Sequence, residues 1–402
     1  MTIDAAAVTA DARELAHDLA ALRRAIHREP ELGLELPRTQ EKVLSALDGL
    51  GLELATGKAL NSVTGVLRGA KPGPTVLLRG DMDALPLQER PVHDVEISRF
   101  DGVMHACGHD LHTSMLVGAA RLLAARRESL AGDVVFMFQP GEEGDDGAGH
   151  MIAEGVLDAA GTRPSAAYAL HVMSGLVGRG VFTARPGTMM ASCADLRVTV
   201  RGKGGHGSAP YRANDPIPAA CEMVTAIQTA VTRKFDIFDP VVVTVGSFHG
   251  GTKENIIPDS AHFDATVRTF SPQAQERIRP VLLDLVQGIA RAHGLEADAV
   301  FHGVYPVTVN DAGAVDTVRQ TVGEIFGEER YTPMSQPLAG AEDFSRVLQA
   351  VPGAMVFLGA TIDGRDAETS PFNHSPEAAF DDRVLPDGAA LLAGLALGHL
   401  AG

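Results

Sequence analysis

Along the chain, apolar residues first recur at helical spacing, through about 12–28 and 40–50, and then gather into short runs. TVLLRG (75–80), DVVFMFQ (133–139) and AAYALH (166–171) are too short for helices, and each reads as a strand buried on both faces. Between the first two, LHTSMLVGAARLLAARRESL (111–130) has helical spacing, and Asp110 stands where an N-cap belongs. Strands alternating with helices predict an α/β fold, a mostly parallel sheet with helices on both faces. In such sheets ligands sit beyond the carboxyl ends of the strands. Asp81, Asp83, Glu142, Glu143 and His171 all fall at those ends.

The pattern changes near residue 190. ADLRVTVRG (194–202), PVVVTVGSF (240–248), AHFDATVRTF (261–270) and ADAVFHGV (297–304) are strand-like, with helices predicted at about 215–233 and 272–293. This β-α-β-β-α-β order is the split arrangement of a small ferredoxin-like α+β domain. After 310 the chain returns to helix and a buried strand, GAMVFLGA (353–360). The expected division is therefore a first domain in two parts, 1–188 and 307–402, interrupted by an inserted domain at 189–306. A chain of 402 residues suits that division.

Composition narrows the classes. An apolar fraction of 45% with 21% charged residues is that of a soluble globular protein. A formal net charge of −17 opposes nucleic acid or an anionic membrane as partner. With no tryptophan and 5% aromatics, little remains for stacking single strands. Cys107, Cys193 and Cys221 form no disulfide framework and fit a reducing compartment. The opening MTIDAAAVTADARELAHDLAALRRAIH lacks a basic-then-apolar signal pattern. AALLAGLALGHLAG is shorter than the ~20 residues that span a bilayer. A cytoplasmic protein with a packed terminal helix is expected.

The candidate chemistry begins with MHACGHDLH (104–112). Cys107 and His109 are two apart and would not face one another on a helix. Gly108 between them favours a loop on which both turn to one centre. Thiolate plus imidazole suits zinc or another borderline divalent metal. Taken alone, the pair fits a buried structural cysteine beside solvated histidines better. Glu142-Glu143 in QPGEEGDDG shifts that balance. Adjacent carboxylates on a loop diverge, so one can bind metal while the other, as general base, addresses a water. Asp145 and Asp146 read as a solvated acidic turn.

His171 and His374, the latter in FNHSP (372–376), would each fit a structural histidine if met alone. With Cys107, His109 and Glu143 they make five candidate ligands, enough for two metals sharing one. Asp83 is placed to hold a ligand imidazole through its second nitrogen. Asp81 has no clear role, and His105 and His112 are left to packing or to supporting a ligand. GKGGHG (202–207) formally matches a dinucleotide loop, but the next helix begins only near Asp215-Pro216. That loop instead presents His206. Asn255 in KENIIPDS is polar and noteworthy; Arg268 in TVRTF fits a substrate carboxylate or an exposed strand face equally. The chain has no H-E-x-x-H, Walker A loop or G-x-S-x-G elbow.

RGDMDALP (79–86), MHACGHDLHTSMLVGAA (104–120), QPGEEGDDGAGHMI (139–152), GKGGHGSAP (202–210), KENIIPDSA (253–261), TVRTF (266–270) and NHSP (373–376) occur in one order over nearly the whole chain. Together they resemble the bimetallic aminoacylase and carboxypeptidase-type amidohydrolases, in the branch of hippurate hydrolase and indole-acetyl-amino-acid hydrolases. The resemblance implies hydrolysis of N-acyl-amino acids at two divalent metals, zinc first, with manganese, cobalt or nickel open. It implies that Cys107 bridges the metals where other branches use aspartate. His109 and His171 would complete one metal, and Glu143 and His374 the other. Glu142 would be the general base and acid, and Asp83 the aspartate that orients the site. Asp81 stands where other branches have a histidine ligand, which marks the cysteine-containing branch. His206 would stabilise the oxyanion, reaching the site of a partner subunit, because the inserted domain forms a homodimer in this family. Asn255 and Arg268 would hold the substrate's carbonyl or carboxylate. QERPVHDVEISRFDG (88–102) departs from the branch, lacking its Thr-Gly after the glutamate, which leaves acyl preference open.

Three rivals remain. A metallo-dipeptidase would need a carboxylate for the α-ammonium, and only Asp81, Asp145 or Asp146 is unassigned. A non-catalytic metal or amino-acid binder has no use for Glu142 beside Glu143. A thiol redox protein would need a resolving cysteine near Cys107.

Overall fold

The computed structural model describes residues 4–91 and 97–401. Part of the divergent stretch 88–102, residues 92–96, lies outside them. The chain forms two compact units. The first comprises the chain up to Met189, Val309–Gln336 and the chain from Arg346 onward; the second comprises Met190–Thr308 and Pro337–Ser345.

In the first unit, seven strands lie in the order Glu53–Thr56, Val63–Arg68, Ala131–Gln139, Lys71–Asp81, Ala166–Met173, Gly353–Gly359, Phe182–Thr183. Lys71–Asp81 is parallel to both neighbours, and Ala166–Met173 to Gly353–Gly359. The centre is therefore the parallel sheet that the strand–helix alternation predicts. The margins are antiparallel. For Glu53–Thr56 and Val63–Arg68 the reason is plain, since residues 57–62 are too few for a parallel crossover.

Alternation sorts the strand residues. Val76, Leu78, Val134, Phe136 and Phe138 join helices His109–Ala124 and Leu385–Leu400 in one apolar cluster. Each such side chain contributes about 1.5–3 kcal/mol by burial. The intervening Leu77, Val135 and Met137 point to the other face, where the short helix Gly147–Ala153 meets Ala131–Gln139. Helix Leu385–Leu400 is the packed terminal helix. Among the described residues, no helix is long and apolar enough to cross a membrane.

Three local expectations change. The helical pattern at 12–28 belongs to two helices, Ala5–Glu14 and Ala16–His27, with Asp4 accepting from Ala7 N–H to cap the first. The helix expected to run to 130 ends at Ala124. Beyond it Arg127 is drawn to the carbonyls of Leu50 (3.2 Å) and Gly51 (2.6 Å). Asp110 does not cap that helix: Gly108 is the N-cap, and Asp110 sits inside the first turn, buried against Arg23 and His27.

The second unit is an antiparallel sheet in the order Val241–Gly250, Ser260–Thr269, Cys193–Arg201, Glu296–Tyr305. Leu196, Val198 and Val200 point inward to helices Pro216–Lys234 and Pro272–Ala292, while Arg197 and Arg201 point out. Both helices start the same way. Asp215 or Ser271 accepts a backbone N–H at the cap, and proline, whose missing N–H is harmless there, follows at once. The connection order is the ferredoxin-like one. Pro337–Ser345 joins this unit through Leu338, whose carbonyl accepts from Ala191 N–H (3.0 Å).

Candidate metal centre

The parallel strands deliver carboxylates and an imidazole to one end of the first unit. Asp83 follows strand Lys71–Asp81, Glu142 and Glu143 follow Ala131–Gln139, and His171 lies near the end of Ala166–Met173. Cys107 enters on the loop leading into helix His109–Ala124, and His109 is that helix's first residue. Gly108 makes that entry possible, with φ of +86°. A Cβ there would lie 2.4 Å from Val172 Cγ2 and 3.2 Å from the Phe380 ring, so the backbone packs where a side chain would clash. His374 arrives on the loop after Gly353–Gly359, itself left-handed at φ +70°. That conformation costs a non-glycine residue about 1–3 kcal/mol.

These residues meet around one sulfur. Cys107 Sγ is 3.3 Å from His171 Nε2 and 3.3 Å from His374 Nε2, and His374 Nε2 is 3.0 Å from Glu143 Oε1. Two triads of donor atoms share Cys107, each with all atoms within 4.8 Å of one another: Cys107, His109 and His171, and Cys107, Glu143 and His374. Glu142 Oε2 lies beside them, 4.0 Å from His109 Nε2. Asp83 braces both glutamates from beneath. Its Oδ1 accepts Glu142 N–H and its Oδ2 accepts Glu143 N–H, both at 3.0 Å, and Oδ1 is 3.4 Å from His109 Nδ1.

The donors fit a divalent cation. Both ring nitrogens of His109 are buried and make no hydrogen bond. Such groups are costly to bury unless something coordinates them. His171 Nδ1–H donates to Val172 O (2.8 Å), which leaves Nε2 unprotonated and aimed at Cys107. Burial and His112 hold His171 well below the ordinary imidazole range, so it stays neutral. Burial and the Glu143 charge push the Cys107 thiol up. His374 is drawn up to about 10 by hydrogen bonds to Cys107 and Glu143. His109 is raised as well: burial opposes its charge, and Asp81 and Cys107 outweigh burial. His109 and His374 thus balance an anionic pocket. A cation would do so directly.

Asp81 finds its role here. Arg79 pairs with it at 2.6 Å in the buried sheet, and His112 Nδ1 bonds it at 2.5 Å. His112 Nε2 then accepts Val172 N–H (2.7 Å), tying Asp81 to the strand that carries His171. The signal for this pair is local: a buried strand holding arginine demands an anion on the same face, and Asp81 is two residues after Arg79. A second buried network centres on Asp110. Asp110 Oδ2 meets Arg23 Nε and His27 Nδ1, both at 2.8 Å, and His27 Nε2 meets Glu89 at 3.0 Å. The i, i+4 spacing of Arg23 and His27 was the available signal. Asp146 is not a purely solvated residue: both its carboxylate oxygens bond Arg346, at 3.1 and 3.0 Å. Asp145 is exposed.

The remaining candidates belong to the second unit. His206 is exposed on a two-strand ribbon opposite Ile256, its Nδ1 accepting from Ser208 N–H (3.2 Å). Asn255 adjoins it, its carbonyl accepting Gly207 N–H (2.9 Å). Arg268 lies apart on strand Ser260–Thr269, its Nη1 3.5 Å from Ser192 O.

A cysteine shared by two donor triads, with a carboxylate pair alongside, is the donor set of a metal-dependent hydrolase. The comparisons place it further: the chain belongs to peptidase family M20/M25/M40, whose model matches residues 77–398. It is 38% identical over 392 residues to thermostable carboxypeptidase 2 of Saccharolobus solfataricus, covering 96% of each chain. It is 38% identical over 383 residues to IAA-amino acid hydrolase ILR1-like 4 of Arabidopsis thaliana, covering 94% of this chain and 85% of that one. Among solved structures, the Bacillus subtilis YXEP protein, described as a dinuclear metal binding peptidase from the M20 family, superposes with a TM-score of 0.82. That pair shares 28% identity over 97% of this chain and 99% of the other.

Proposed function

We propose that the chain hydrolyses N-acyl-amino acids, with a hippurate-like or aliphatic acyl group, to a carboxylic acid and a free amino acid. The observation that carries this reading is the meeting of two donor triads at Cys107 with Glu142 beside them. Cys107, His109 and His171 hold one divalent ion in this reading, and Cys107, Glu143 and His374 the other. Thiolate and imidazoles favour zinc, with manganese, cobalt and nickel as alternatives. Such a pair supplies Lewis acidity toward an amide carbonyl and lowers the pKa of water from ~15.7 toward ~7.

The protein's own groups do the rest. Glu142 takes a proton from the attacking water and returns it to the leaving amine nitrogen. Asp83 keeps Glu142 in place by accepting its backbone N–H. His206 donates to the developing oxyanion in the site of a partner subunit, and Asn255 and Arg268 bind the substrate's carbonyl or carboxylate. The second unit pairs two copies into a homodimer, and the unpaired cysteines suit a reducing cytoplasm. The Arabidopsis relative's name, IAA-amino acid hydrolase, supports an amino acid on one side of the scissile amide.

The test is Glu142→Gln in metal-loaded protein, assayed on a panel of benzoyl- and acetyl-amino acids with dipeptides alongside. The variant should keep its metal by elemental analysis and lose turnover by ~100-fold or more. Undiminished turnover would remove Glu142 from the mechanism, and preference for dipeptides would replace the acyl-amino acid reading.

A further inference from the structure

We infer that Asn373 is a positioning residue for the metal ligands, fastening the loop that carries His374 to the segments that carry Cys107 and His171. The inference rests on the reading that those three residues hold the ions. The Asn373 side-chain nitrogen donates to Cys107 O (3.1 Å) and to Val172 O (3.0 Å), the residue after His171. Its Oδ1 accepts Ser174 N–H (2.9 Å), with the Ser174 hydroxyl 3.0 Å away. One amide group thus touches the loop before helix His109–Ala124 and both residues flanking the end of strand Ala166–Met173.

Only an amide answers this set of partners. It has two N–H donors for two carbonyls and an oxygen for the incoming N–H. A carboxylate of the same shape would set an anionic oxygen against two carbonyl oxygens, with Cys107 Sγ only 3.9 Å from the same point.

The neighbouring backbone shows why the loop needs fastening. His374 is left-handed, and its side chain is 53% exposed, so burial does little to hold it. What holds it is a clasp of two successive residues: His374 N–H donates to Ala106 O (2.9 Å) beside the Asn373 bond to Cys107 O. Releasing Asn373 frees His374 to relax toward an ordinary φ, and Nε2 then leaves Cys107 and Glu143. The same amide holds Val172 O, which also receives the His171 Nδ1 proton. Asn373 therefore acts through both imidazoles.

The experiment compares zinc binding by metal-stripped wild type, Asn373→Ala, Asn373→Asp and Ser174→Ala, by competition with a chromophoric chelator, alongside melting of each metal-free protein. Wild type should bind two ions. Asn373→Ala should weaken at least one of them by roughly 10–100-fold, the usual effect of removing a ligand's support. Asn373→Asp should do at least as much despite its matching shape, and Ser174→Ala should shift affinity the same way by less. The metal-free proteins should melt alike. A residue that merely fills the loop predicts the reverse: Asp tolerated, Ala damaging to the melting temperature, and affinity unchanged. That result, with wild type binding normally, overturns the role of Asn373. Wild type that binds no zinc refutes the underlying ligand set instead. Should Asn373→Ala fail to fold, Ser174→Ala decides.

Discussion

Replacing Gly108 by alanine adds one methyl group at the point where the two first ligands converge. Its cost has two parts. The residue stays at φ +86°, where a Cβ costs about 1–2 kcal/mol. The methyl also falls 2.4 Å from Val172 Cγ2 and 3.2 Å from the Phe380 ring. Both neighbours are buried, one in the sheet and one under the loop, so neither can swing into solvent. Overpacking of that kind costs about 1–3 kcal/mol. The sum is about 2–5 kcal/mol. Urea unfolding of metal-free Gly108→Ala should show it as a midpoint lowered by about 1 M or more, for a slope of about 2 kcal/mol per M. A midpoint within about 0.2 M of wild type would refute the requirement for a left-handed, side-chain-free residue here. The clash also presses on Val172, which anchors both His112 and His171. Zinc affinity should fall with stability.

Other perturbations probe other parts of the molecule. His27 is held above its ordinary value of 6.5: burial and Arg23 oppose its charge, and Asp110 and Glu89 outweigh them. A raised folded value contributes stability that is complete below pH 6.5 and fades as pH rises through the folded value. His27→Gln should therefore cost more in urea titrations at about pH 6 than at about pH 8.5, and equal costs would count against the charged pair. Arg79→Met removes the guanidinium 2.6 Å from buried Asp81 and should destabilise by about 3–5 kcal/mol; adding Asp81→Leu should recover part, and strict additivity would contradict the pairing. Ions that bind only the folded chain stabilise it by about 4 kcal/mol at a thousandfold excess over Kd. Chelation should lower the urea midpoint and added zinc restore it, whereas an unmoved midpoint would argue against a metal centre in this pocket.

Much of this was written along the chain. The runs at 75–80, 133–139 and 166–171 announced parallel strands because residues buried on both faces must be apolar at successive positions. The acids and the histidine at their ends announced where chemistry would gather. Gly108 between Cys107 and His109 announced a loop, and the structure gives it the positive φ that favours glycine. Asp110 was misplaced for an instructive reason. Its position before an apolar helix is that of a cap, but Arg23 and His27 lie more than eighty residues earlier, and their claim on it is invisible locally.

By itself, then, the sequence determined the parallel centre of the first sheet, the connection order of the second unit and the residue types able to hold metal, because periodicity and side-chain chemistry are local properties. Only the tertiary structure decided which of those residues meet. The convergence of Cys107, Glu143, His171 and His374, the binding of Asp81 by Arg79 and His112, and the clasp of Asn373 on Cys107 and Val172 join segments far apart in the chain. Each depends on strand order, register and loop conformation. Those are settled by packing and by the need to partner every buried charge, and neither can be read from neighbours in sequence.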